Sequence, residues 1–339
     1  IRDRNLNYYS KEITFDGQLG KIYNNAQLMG KIDLPTRIPT SFRFIASIST
    51  FDYYKKDKLF SRNDKPSFNS KDERFVKLMV ALPFLANKRA EFSLGYGQLE
   101  DNYFQSSVID FDKDRSDRST YKLLGGSIGF YGSTLNTRQY ATKGYLEKLI
   151  AQVFTGRERF EPGNPQEGYS PSPQERQSWL QISYMKEAYH TMGPKFTLGW
   201  MAEALYSSKN FSENYTATMM QAGEFAPTPH SKLMYNEAFR ANQYVAAGIK
   251  PIYVLNDMFQ FRTEFYGFTP IFPIKKNALN KAYYGKAFSR FEYMGEVSVI
   301  CHLPFGAISA YVNHYSSPRR EWNVGLSIGW QLFNYRFIE

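Results

Sequence analysis

The alternation in EWNVGLSIGWQLF, near the end of the chain, constrains the fold more than any other feature. Trp322, Val324, Leu326, Ile328, Trp330 and Leu332 alternate there with Asn323, Gly325, Ser327, Gly329 and Gln331. A period of two belongs to a β-strand, whose successive side chains leave opposite faces of the sheet. One face is wholly apolar and the other is small or polar. In a membrane barrel the apolar face meets lipid and the polar face lines a lumen, and tryptophans toward both ends of the apolar row suit the two interfaces.

The same period recurs upstream. In MFQFRTEFYGF, Phe259, Phe261, Thr263 and Phe265 share a face, and Gln260, Arg262, Glu264 and Tyr266 share the other. Two charges exclude lipid from that second face. KFTLGWMAEALY and AEFSLGYGQ repeat the pattern. About fourteen strands are predicted, near 11–22, 25–34, 41–52, 74–84, 89–100, 121–135, 144–155, 177–190, 195–207, 244–255, 258–269, 290–302, 306–315 and 321–333. Strands of soluble proteins average about five or six residues, whereas these mostly run ten or more, the length a tilted strand needs to cross hydrocarbon.

Short connections such as LANKR and LND alternate with long ones over roughly 53–73, 102–119, 157–176, 209–243 and 270–288. Antiparallel strands with one end in each compartment produce that alternation. No stretch reaches the roughly twenty apolar residues of a spanning helix, so a membrane crossing has to be made by strands. The negative mean hydropathy is no objection, since only alternate strand residues would meet lipid. Tyr 26 and Phe 28 among 339 residues suit strands and aromatic girdles.

The net charge of +10 is spread among acids, as in YYKKDKLFSRNDKPSFNSKDER, which reads as solvated loop rather than a nucleic-acid face. Cys301 is the single cysteine, which rules out a disulfide framework and a thiolate metal site. The opening IRDRNLNYYSKE lacks the charged-then-apolar layout of a signal peptide, and an exported protein needs one, so a removed upstream segment is expected.

Candidate chemistry is sparse. GGSIG at 125–129 matches the G-x-S-x-G elbow, yet Leu124, Ile128 and Phe130 alternate straight through it and no helix pattern follows. Ser127 is therefore expected on the lumen face of a strand. His190, His230, His302 and His314 have no ligand spacing, so no metal is predicted. FAPTPHS at 225–231, with two prolines, reads as a rigid plug or lid. Arg240 closes the longest connection in FRANQY, and if that loop folds into the lumen the guanidinium needs an acceptor, for which inward Glu264 is the candidate.

With NTRQYATKGYLEKLIAQVFTG, FRANQY before a strand, and CHLPFGAISAYVNHY followed by WNVGLSIGW as a final hairpin, the chain resembles the bacterial surface-antigen superfamily of outer-membrane assembly and translocation barrels. Within it the chain is most similar to the barrel that follows a patatin-like phospholipase domain. The resemblance implies an all-β, antiparallel transmembrane β-barrel on a sixteen-strand plan, with about fourteen strands in this chain. Residues 1–339 then form a single barrel domain, with the first strands and any upstream domain outside it; a closed barrel of fourteen strands is the alternative. It also implies that loop 209–243 enters the lumen, locked by the arginine of a Val-Arg-Gly-aromatic motif. Arg240 takes that place, Ala241 and Asn242 replace the glycine and aromatic, and Glu264, with Arg262 beside it, stands where the family has an aspartate.

The implied function is to anchor or translocate an attached phospholipase or another protein from the bacterial outer membrane. No catalytic residue in this chain, no cofactor and no metal are expected. Expected partners are membrane lipid, including lipopolysaccharide, and an attached or partner protein domain, without nucleic acid. A diffusion porin and a barrel-borne lipid hydrolase are the alternatives.

Overall fold

A computed structural model of the chain describes residues 10–20, 22–53, 69–85, 87–105, 113–164, 175–304, 306–317, 322–329 and 335–339. Fourteen strands make one sheet. They are β1 (Ser10–Gln18), β2 (Tyr23–Leu34), β3 (Thr40–Tyr53), β4 (Asn69–Leu85), β5 (Lys88–Tyr103), β6 (Asp117–Ser133) and β7 (Gly144–Glu161). There follow β8 (Glu175–Thr191), β9 (Phe196–Ser207), β10 (Gln243–Val254), β11 (Phe259–Pro270), β12 (Glu292–Leu303), β13 (Gly306–Tyr315) and β14 (Trp322–Ile328). Each pairs antiparallel with its neighbour in sequence, and every predicted segment is a strand of this sheet.

The alternation sorts the side chains as the sequence implies. Outward positions hold exposed apolar residues: Leu78, Leu94, Val153, Phe265 and Val297 are each more than half exposed. Inward positions hold buried polar groups, among them Glu73, Lys77, Gln152, Lys250, Arg262, Glu264 and Glu296. A water-soluble sheet would be inside out with this arrangement.

Several strands outrun their predicted ends, and β4 to β8 reach 16 to 18 residues. The ladder continues where outward residues turn polar, so hydropathy loses the strand before the hydrogen bonds do. Ion pairs join these polar ends: Arg118 lies 3.2 Å from Glu100, and Arg159 lies 2.9 Å from Glu161.

The sheet curls around its own loop. Residues 208–242 touch Tyr53 on β3, Asp101 on β5, Phe268 on β11 and Ser309 on β13. In a flat sheet β3 and β13 would lie about 48 Å apart at the usual strand spacing, beyond any one compact loop. Among the described residues β1 pairs only with β2, and β14 only with β13.

At the far end the structure departs from the sequence expectation. β14 stops at Ile328, short of the predicted 333, and Gly329 follows with φ +96°, a backbone conformation suited to glycine. Trp330 and Leu332 lie outside the described residues. Residues 335–339 are back inside the barrel, where Phe337 is 1% exposed.

Candidate functional site: the filled lumen

The loop after β9 is an ordered insert. It begins with Lys209, whose ammonium lies 4.4 Å from the Tyr121 ring centre and 4.9 Å from that of Trp179. Burial pushes this ammonium down to about 8, against the opposing pull of Glu158 and Asp101. A short helix, α1 (Tyr215–Gln221), follows, and the Asn214 side chain accepts from the Ala217 N–H at 2.9 Å. The same Asn214 donates to the Tyr103 hydroxyl at 2.8 Å, so the cap ties the helix to β5. Gln221 donates to Asp101 at 2.5 Å from the other end of the helix.

Beyond the helix the loop folds on itself. Gly223 and Glu224 pair antiparallel with Ala241 and Arg240, which sets Glu224 directly opposite Arg240. The Arg240 guanidinium lies 2.8 Å from the Glu224 carboxylate, donates to the Met220 and Ala222 carbonyls at 3.3 and 3.4 Å, and covers the Tyr235 ring. Burial works against its charge, but Glu224, Tyr235 and Tyr53 together more than offset that and hold the guanidinium above its usual pKa.

The expected pair of Arg240 with Glu264 is therefore corrected. Glu264 accepts from Arg262 at 2.9 Å and from the Tyr266 hydroxyl at 2.5 Å. Arg262, two residues away on the same inward face, reaches it without crossing the lumen, while Arg240 meets an acid brought opposite by the loop's own ladder. Arg240 thus stiffens the loop internally. Arg262 also donates to the Ala141 carbonyl at 3.0 Å, and Gln260 donates to that of Tyr140 at 3.1 Å. These bonds hold the β6–β7 turn, residues 134–143, inside the opposite mouth.

A further fastening of the loop to the wall, on β12 and β13, lies at His230. Its Nδ1 is 2.8 Å from a Glu296 oxygen on β12, its Nε2 is 3.1 Å from Ser309 Oγ on β13, and its ring stacks on Tyr311 with centres 3.6 Å apart. Thr228 donates to the other Glu296 oxygen at 3.1 Å. Tyr140, from the turn below, donates to Ser309 at 3.1 Å, so loop, wall and turn share one network. The order acid, imidazole, hydroxyl is that of a hydrolase relay. Here, however, Ser309 is 1% exposed in a regular strand and its oxygen already accepts from Tyr140, so the trio serves as a bolt.

The prolines of FAPTPHS mark this segment as rigid, but nothing in its local pattern singles out His230. Its partners come from strands more than sixty residues downstream. Phe225 of the same segment is buried against Tyr244, Tyr266 and Phe268.

Residues 335–339 are a third insert. Phe337 lies against Phe75 and Phe154, with ring centres 5.9 and 5.7 Å away, and Lys77 meets the Glu339 carboxylate at 3.2 Å. The remaining sequence candidates sit elsewhere. Ser127 is on the inner face, with its hydroxyl 2.6 Å from that of Ser93. Trp322, Val324, Leu326 and Ile328 point away from the lumen, at 71, 62, 67 and 72% exposure. Among the described residues no group of His, Cys, Asp and Glu is placed to hold a metal.

No protein-family model matches this sequence, and no curated protein does. Solved structures do match in fold. BamA from Haemophilus ducreyi superposes with a TM-score of 0.60 at 11% identity, over 94% of this chain and 64% of that one. CdiB from Acinetobacter baumannii (TM-score 0.47, 9% identity, 94% of this chain and 53% of that one) is a weaker match. So is the ferric preacinetobactin receptor BauA of the same organism (0.44, 9%, 91% and 50%). The chain spans about two thirds of the first structure and about half of the others. It has the fold of a BamA-type outer-membrane β-barrel.

Proposed function

We propose that this outer-membrane barrel of the surface-antigen type anchors or translocates a protein, and that its lumen is closed at rest by its own chain. The observation that carries the reading is the filled lumen: loop, turn and residues 335–339 all bond to the inner wall. A pore for small solutes needs a continuous water column, and its wall charges face water. Here Arg262, Glu264, Lys250 and Glu296 are buried and paired with protein groups. The partner that fits the sequence resemblance is a patatin-like phospholipase domain, attached or separate.

The outward apolar band, closing with Trp322, Val324, Leu326 and Ile328, is the surface we assign to lipid. To lipopolysaccharide phosphates we assign the exposed, outward Lys122, Arg157 and Arg159. The chain itself does no chemistry on this reading.

Planar-bilayer recording tests it. The intact chain should give small, erratic currents, and deletion of residues 209–243 should give a larger, steady conductance. A large, steady conductance from the intact chain would refute the reading in favour of a porin. Labelling of the folded chain by a serine-directed fluorophosphonate would instead support a hydrolase.

A further inference from the structure

The inner wall of β4 to β8 holds a short segment of this chain. Four buried side chains on it bond main-chain atoms of residues 336–339. Glu73 accepts from the Phe337 N–H at 2.6 Å, and Gln152 accepts from the Glu339 N–H at 3.0 Å. Lys77 donates to the Arg336 carbonyl at 3.0 Å, and Gln181 donates to that of Glu339 at 2.9 Å. Main-chain contacts of this kind hold a segment whatever its side chains, and pockets for individual side chains then supply selectivity.

Two such pockets are present. One takes the Phe337 ring over glycines of the wall. At Gly97 a Cβ would stand 2.9 Å from the ring, and its three nearest atoms all belong to Phe337, so the missing side chain makes the room. The other takes the Glu339 carboxylate, which meets Lys77 at 3.2 Å and the Tyr131 hydroxyl at 3.2 Å.

We infer that this wall is a peptide-binding groove for short segments with an aromatic residue two positions before an acidic one, and that residues 335–339 occupy it in cis. The groove stands on the contacts above. That its natural competitor is a segment of a translocated or anchored protein rests on the function proposed above.

The test uses the barrel in detergent micelles, with folding checked by heat-modifiable gel mobility, and a fluorescent peptide YRFIE. Removal of residues 335–339 should expose the groove, so that this variant binds the peptide roughly tenfold more tightly than the intact chain, whose own segment competes at high effective concentration. Phe337→Ala in the intact chain should recover part of that gain. In the shortened barrel, the peptide YRAIE should bind at least about tenfold less tightly, and Gly97→Val should abolish YRFIE binding. Should Gly97→Val fail to fold, Gln152→Ala with Gln181→Ala, which removes two main-chain bonds, should weaken binding in its place. Equal binding by intact and shortened barrels, equal binding of YRFIE and YRAIE, or no binding by the folded shortened barrel would overturn the inference. None of these measurements depends on conductance or transport, so the groove and the proposed function fail separately.

Discussion

Replacing His230 by alanine should release the segment around it, residues 225–235, from β12 and β13 while leaving the barrel intact. The imidazole makes a charge-assisted bond to Glu296, a second bond to Ser309 and a close stack on Tyr311. Such terms contribute about 1.5–3, about 0.5–1.5 and about 0.5–1.5 kcal/mol respectively. They share partners and are not additive, so about 3 kcal/mol is a reasonable sum, with part of it arising from leaving Glu296 buried beside an empty site. Amide hydrogen exchange of residues 225–235 in detergent micelles reads this as local opening accelerated roughly a hundredfold. Strand amides of β4 to β7 should not change. A cycle with Glu296→Gln gives the sharper reading: the two substitutions should couple by more than about 1 kcal/mol, whereas Arg240→Ala and Glu264→Gln should be additive within about 0.5 kcal/mol. Additive effects at His230 and Glu296, or strong coupling of Arg240 to Glu264, would refute the assignment of the bolt.

Arg262→Ala removes the donor to the Ala141 carbonyl, so trypsin should cut after Arg138 or Lys143 markedly faster; an unchanged digest would show that the turn is held by other contacts. Lys209 has a docked value of about 8, below its ordinary 10.5, so protonation favours the undocked loop; docking should strengthen as pH rises from about 8 to about 10.5, read by loop-amide exchange corrected for intrinsic rates. A Lys209→Met variant should lose that slope, and a slope unchanged in it would assign the effect elsewhere. Leu326→Arg should cost about 2–4 kcal/mol in reversible urea unfolding from lipid vesicles if its position is near the bilayer centre. Ser327→Arg, facing inward, should not show the same bilayer-thickness dependence, and identical behaviour would contradict the two-faced assignment of β14.

All fourteen strands were legible in the sequence because a strand that separates lipid from lumen must alternate along its own length, and that is a local property. Their neighbours were legible too, since short and long connections in alternation allow little but a meander. Ends were not legible where outward residues turn polar, as in β6 and β7, because hydropathy stops reporting a ladder that hydrogen bonds continue. The lumen was legible only in part. Arg240 could be placed at the close of a lumen loop, but its partner is set by a two-residue ladder that brings Glu224 opposite it. The weight of the lock moved to His230, whose acid and hydroxyl stand on β12 and β13 and meet it only once the sheet has curled. Residues 335–339 return to the lumen beyond Gly329, toward a groove whose parts come from five different strands. Alternation along a strand is written residue by residue, whereas contacts across a lumen depend on closure and register, which no local pattern encodes.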